Sequence, residues 1–206
     1  MSIANLNYNV IFIHVPKTAG SSMEHREFTC GGGHQDIRTY ERIFKLGFVG
    51  LPKWEDMFKF GFVRNPYERA AAAFASHYST EGNQLEIDLG HARTAEGFTR
   101  FLVEQERRIK TNQWTHLIPQ CNYLCVSIPG GSPYSIDGGI GVDFVGRFEN
   151  LQEDWKKVCD RVGVSNELSH WRKGDFKDYE SLYTPQAKEI LRNIYEKDFE
   201  IFGYVP

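Results

Sequence analysis

Apolar residues along this chain recur with two different periods, and the switch between them marks out alternating strands and helices. Residues Asn9-Val-Ile-Phe-Ile-His-Val15 form a short, nearly continuous apolar and β-branched run, the pattern of a strand buried on both faces of a parallel sheet. The run stops at Pro16. A small, polar, glycine-containing segment, Lys17-Thr-Ala-Gly-Ser-Ser22, then leads into Met23-Glu-His-Arg-Glu-Phe28, which can be helical. Past the flexible Cys30-Gly-Gly-Gly-His34 loop, a helix is predicted from Asp36 to about Leu46, with Ile37, Tyr40, Ile43 and Phe44 on one side. A second strand is read at Phe58-Lys-Phe-Gly-Phe-Val63. Arg64-Asn65-Pro66 turns the chain, and the alanine-rich stretch from Tyr67 to Tyr78 reads as a helix with Pro66 near its first turn.

The second half repeats the alternation with longer connections. Ser79 to about His91 is polar and reads as a loop, after which Thr94 is placed to cap a helix running to about Ile109, with Phe98, Phe101 and Leu102 inward. Ser127 to Gly141 carries five glycines and two prolines and is a surface excursion or a hairpin. Asp143-Phe-Val-Gly-Arg-Phe148 reads as a third strand, and Asn150-Leu-Gln-Glu153 resembles a capping box opening a helix to about Val162. A final helix starts at Thr184-Pro185 and runs to about Phe199. This order predicts an α/β fold of three layers, a central parallel sheet flanked by helices, with ligands beyond the carboxyl ends of the strands. The loops after Val15 and Val63 then share one rim.

A length of 206 residues suits one domain, 1–206. With 41% apolar and 25% charged residues the composition is that of a soluble globular protein, and a net charge of −3 argues against a nucleic-acid partner. No leader and no membrane-length apolar run is visible from Met1 onward, so a soluble, cytoplasmic protein without a membrane span is expected. Cys30, Cys121, Cys125 and Cys159 read as reduced thiols, and the three-residue gap between Cys121 and Cys125 reads as buried side chains rather than a zinc site.

The first loop carries the chemistry. A small-residue loop between a strand and a helix turns several backbone N–H groups toward one point, which makes an anion site. Lys17 adds a full charge, and Thr18, Ser21 and Ser22 add hydroxyls. In the ordinary phosphate loop the lysine follows the glycines, whereas Lys17 precedes Gly20, so ATP-dependent chemistry fits poorly.

The run Phe12-Ile-His-Val-Pro-Lys-Thr-Ala-Gly-Ser-Ser22, followed by Phe62-Val-Arg-Asn-Pro-Tyr-Glu-Arg69, resembles the paired donor-binding motifs of the carbohydrate sulfotransferases. Asp143-Phe-Val-Gly-Arg-Phe-Glu-Asn-Leu151 and the ending Tyr195-Glu-Lys-Asp-Phe-Glu-Ile-Phe-Gly-Tyr204 are similar to that family as well. The resemblance implies a P-loop nucleotide-hydrolase-like fold and a sulfotransferase that moves a sulfuryl group from 3′-phosphoadenosine-5′-phosphosulfate (PAPS), as co-substrate and without a metal, to an acceptor hydroxyl, here a glycan's.

By that resemblance the loop Lys17, Thr18, Ala19, Gly20, Ser21 and Ser22 holds the 5′-phosphosulfate, with Lys17 at the bridging oxygen, and Arg64 holds the 3′-phosphate. The family's serine eight residues after the arginine is replaced by Ala72. Ser76, one helical turn further on the same face, is either its substitute or a solvent-facing helix residue. Arg172 and Lys173 resemble a late basic contact to the same phosphate; a solvated charge cluster is the equal alternative. Of seven histidines, His34 is the candidate base, and Trp114, His116 and Gln120 resemble an acceptor-lining segment. His14 reads as a strand residue inside the sheet. Two other readings stay open: a small-molecule or nucleotide kinase, and a nucleotide-binding module that has lost its chemistry, the latter suggested by Ala72.

Overall fold

The computed structural model describes residues 6–23, 33–79, 94–113, 115–127, 136–165, 168 and 179–206. They divide into two compact units: Met1–Arg64 with Gln120–Arg172, and Asn65–Pro119 with Lys173–Pro206.

The first unit is α/β, built on a three-stranded parallel sheet in the order β1 (Val10–Ile13), β2 (Phe58–Val63), β3 (Phe144–Arg147). All of β1 is buried, as is β2 beyond Phe58, which is why both read as unbroken apolar runs rather than as alternations. The exception within β2 is Lys59. Its Nζ donates to the carbonyl oxygen of Met57 (2.7 Å), lies 3.3 Å from the Asp143 carboxylate and sits over the Trp54 ring, so a buried cation is neutralised and solvated by protein.

Phe12 and Phe60 stack across β1 and β2 with centroids 5.0 Å apart. Helix α6 (Leu151–Val162) adds Trp155, Val158 and Cys159 to the same cluster, positions three and four apart that share one helix face. Two shorter helices also belong to this unit: α1 (Gly20–Met23) and α2 (Ile37–Lys45), the latter capped by Asp36, whose carboxylate accepts from the Thr39 N–H (2.9 Å).

A four-residue helix, α5 (Cys121–Leu124), also belongs here and has no signature in the sequence pattern. It is set by β2. Gly61 has no side chain, and a Cβ there would lie 2.5 Å from Leu124 Cδ2, so the missing atom makes room for α5. After α5 the chain returns on itself: Val126 and Gly138–Gly139 exchange main-chain bonds of 2.9 Å and Cys125 bridges Ile140, the closing end of a hairpin in the segment predicted as an excursion or hairpin.

The second unit packs α3 (Pro66–Ser79), α4 (Ala95–Lys110) and α7 (Pro185–Phe202) around Ala70, Phe74, Phe98, Phe101, Leu102, Leu191 and Phe199. Thr94 and Thr184 cap α4 and α7 as expected, accepting at 3.1 Å from the N–H groups of Gly97 and Ala187. Arg69 is fully buried and donates to the carbonyl oxygens of His116 (2.8 Å) and Ile118 (2.9 Å), fastening that loop to α3. Burial pushes the Tyr183 phenol far above its ordinary range, so the hydroxyl stays protonated and donates to the Tyr67 carbonyl oxygen.

Two expectations need correction. Asn150 makes no side-chain capping bond; a 3₁₀ turn at Phe148–Asn150 feeds α6 directly and leaves Asn150 at φ −116°, ψ 32°, out of capping geometry. Helix α7 continues to Phe202 and ends at Gly203 in the left-handed region (φ 65°), where glycine carries no Cβ penalty.

Gly146 of β3 lies opposite Phe62, and a Cβ there would come within 2.4 Å of that buried ring. Gly146→Ala is therefore expected to destabilise by about 1–3 kcal/mol through overpacking. A urea midpoint that drops at unchanged slope checks this; an unchanged midpoint would show that Phe62 moves at no cost.

Candidate functional site

Because β1 and β2 are parallel, with Ile13 opposite Gly61, the chain leaves both strands at one edge of the sheet. β3 ends there too, with Val63 opposite Arg147. The loop from Pro16 to Gly20 and the start of the loop at Arg64 are therefore neighbours by register, not by accident of packing.

The first loop is tightly wound. Lys17 and Ala19 both adopt left-handed φ, 67° and 70°, costly for residues with a Cβ and kept only where the surroundings hold them. Thr18 is one such support: it is fully buried and its hydroxyl donates to the Val15 carbonyl oxygen (2.9 Å). Ala19 packs on the sheet's aromatic cluster, and the Ser22 N–H donates to the Ala19 carbonyl oxygen (2.9 Å). Thr18 thus holds the shape of the loop and turns its hydroxyl proton inward.

Two histidines flank this loop. His14 lies one residue past β1, half-buried, its ring stacked on Phe12 and pressed against Gly20, where a Cβ would fall 2.0 Å from Nε2. His34 meets it edge-on with centroids 4.4 Å apart, and His34 Nδ1 lies 2.9 Å from the His14 carbonyl oxygen. A carbonyl only accepts, so Nδ1 carries the hydrogen and the neutral ring keeps its lone pair on Nε2.

At the end of β2 the Arg64 guanidinium lies over the Phe148 ring, 3.9 Å from its centroid. The Arg64 main chain is held from both sides by one side chain: its N–H donates to Gln120 Oε1 (2.8 Å), and Gln120 Nε2 donates to its carbonyl oxygen (2.9 Å).

Residues 2–205 match a protein-family profile described as "Sulfotransferase family". The chain belongs to the sulfotransferase family. A curated relative, carbohydrate sulfotransferase 14 of Danio rerio, is 27% identical over 240 residues, an alignment that takes in 98% of this chain and 61% of the relative. The chain thus spans less than two thirds of that relative's length. No solved structure matches.

The structure brings Lys17, Thr18, Ala19, Gly20, Ser22 and His34 together around one loop, with Arg64 on the same sheet edge. Gln120, expected beside an acceptor, is fully buried with its amide turned to the Arg64 main chain. Ser76 donates its hydroxyl proton to the Ala73 carbonyl oxygen (2.8 Å) in its own helix, and His116 is half-buried with its carbonyl held by Arg69. Trp114, Arg172 and Lys173 lie outside the described residues, as does the side chain of Ser21.

Cys121, Cys125 and Cys159 are buried. Among the described residues no group of three or more His, Cys, Asp or Glu is placed to hold a metal ion, and no helix is long and apolar enough to cross a membrane. The sequence pattern reads His14 as a strand residue inside the sheet, whereas it lies one residue past β1, and it gave no sign of Phe148, whose place opposite Arg64 follows only from strand register.

Gly20→Ala is expected to push the His14 ring aside and break its edge contact with His34. Nuclear Overhauser contacts between the two rings report it, and contacts that persist in the variant would mean Gly20 does not set the pair.

Proposed function

We propose that this chain, as one domain over residues 1–206 with a three-layer, P-loop nucleotide-hydrolase-like arrangement, transfers a sulfuryl group from PAPS to an acceptor hydroxyl on a carbohydrate. The observation that carries the reading is the shared sheet edge: a wound loop bearing Lys17 and a supported Arg64 leave adjacent parallel strands on the same side. Family membership supports sulfuryl transfer, and the fish relative, a carbohydrate sulfotransferase by name, supports the carbohydrate acceptor.

In this reading the loop 17–22 receives the 5′-phosphosulfate and Arg64 the 3′-phosphate, a dianion suited to a guanidinium fork. The inward Thr18 hydroxyl gives that residue the part of shaping the loop, while Lys17 and the loop's amides meet the charge. His34, with hydrogen on Nδ1, takes the acceptor's hydroxyl proton at Nε2. The acceptor oxygen bonds to sulfur as the bond from sulfur to the bridging oxygen breaks in line. The leaving 5′-phosphate of 3′,5′-ADP gathers negative charge, which the Lys17 ammonium meets. The reading invokes no metal ion.

The rival kinase reading needs ATP, magnesium and a carboxylate at a strand end. Asp143 precedes β3 and is spent on Lys59.

3′,5′-ADP at about 100 times its Kd is expected to add about 2.7 kcal/mol of stability and raise the melting temperature, with ATP and magnesium leaving it unchanged. Stabilisation by ATP and magnesium alone would sink the sulfotransfer reading. Lys17→Ala is expected to weaken binding of 3′,5′-ADP and to lower kcat by roughly 10²–10³-fold. His34→Ala should lower kcat by roughly 10²–10⁴-fold with affinity for 3′,5′-ADP kept, and an undiminished rate removes His34 from proton transfer.

A further inference from the structure

Arg64 stands where a sheet ladder stops. β2 ends at Val63, so the Arg64 N–H and carbonyl have left the regular strand pairing, yet both are satisfied by the Gln120 amide, which offers an acceptor and a donor as a neighbouring strand would. Gln120 is fully buried, and its own carbonyl accepts from the N–H groups of Tyr123 (3.0 Å) and Leu124 (3.3 Å). Its backbone is therefore tied into α5. That helix is located twice over, by Leu124 over Gly61 and by the Arg38 guanidinium, which donates to the Asn122 carbonyl oxygen (2.9 Å). On the other side, the parallel pairing of Val63 with Arg147 brings the next residues, Arg64 and Phe148, alongside each other.

We infer that Gln120 and Phe148 are positioning residues that set the main chain and the guanidinium plane of Arg64 in advance, so that the 3′-phosphate of the donor meets a preformed cation. The inference rests on the reading that Arg64 binds that phosphate. A long arginine side chain loses considerable rotamer freedom when it grips a ligand, and a plane already laid on an aromatic face has less to lose. Gln120 fixes where the side chain starts and Phe148 fixes how its end lies.

The contribution is therefore specific to one phosphate. Neither residue should matter to a nucleotide that lacks it.

The test compares adenosine 3′,5′-bisphosphate with adenosine 5′-phosphate, which differ only in the group assigned to Arg64, by titration calorimetry on the whole chain. Wild type is expected to prefer the bisphosphate. Phe148→Leu and Gln120→Met, each checked for a cooperative melt, are expected to lower that preference about tenfold, the worth of one weakened charge-assisted contact, with affinity for adenosine 5′-phosphate unchanged. Should Gln120→Met fail to fold, Phe148→Leu decides by itself. A folded variant that keeps the wild-type preference overturns the inference, as does one that loses affinity for both nucleotides equally, since that marks general support of the fold. If wild type shows no preference, the assignment of Arg64 to a phosphate falls first and the inference with it.

Discussion

Parallel pairing of β2 with β1 on one side and β3 on the other constrains everything else in the first unit. With Ile13 opposite Gly61 and Val63 opposite Arg147, three chain segments end at one edge, and each delivers a different group there: the Lys17 loop, Arg64 and Phe148. A slip of one residue between β1 and β2 would part Phe12 from Phe60, and one between β2 and β3 would part Arg64 from Phe148. The aromatic cluster that holds register is thus also what assembles the site.

Glycines do much of the local fitting, by absence. Gly61 admits Leu124 and so locates α5, which Gln120 immediately precedes, and Gly20 admits the His14 ring, which lies beside His34. Lys17 and Ala19 show the opposite economy, a left-handed backbone without glycine, held by the buried Thr18 hydroxyl and by Ala19 against the core. Strain maintained by packing in this way is common where a loop must keep one shape before its ligand arrives. The supports of the loop and of Arg64 are side chains bonded or packed to the protein's own main chain and core.

Much was legible in the sequence. The strands were visible as apolar runs because both faces of β1 and nearly all of β2 are buried, and Thr94, Thr184 and Asp36 signalled helix starts because capping uses bonds within three residues. Where a short-range rule had a competitor, it misled: Asn150 fits a capping box on paper, but the 3₁₀ turn that continues from β3 takes the helix start instead. Helix α5 was invisible because four residues hold no period, and the bonds from the Gln120 amide to the Arg64 main chain were invisible because they join residues far apart in the chain.

The amino-acid order by itself determined which segments bury, where most helices begin and which short runs carry charge suited to phosphate. These depend on neighbours a few residues apart. The tertiary structure alone decided which groups support which: His34 reaches back 20 residues to His14, and Gln120 reaches 56 residues to Arg64. Such pairs follow from strand register and from the space left by missing side chains, and neither is written in any local pattern.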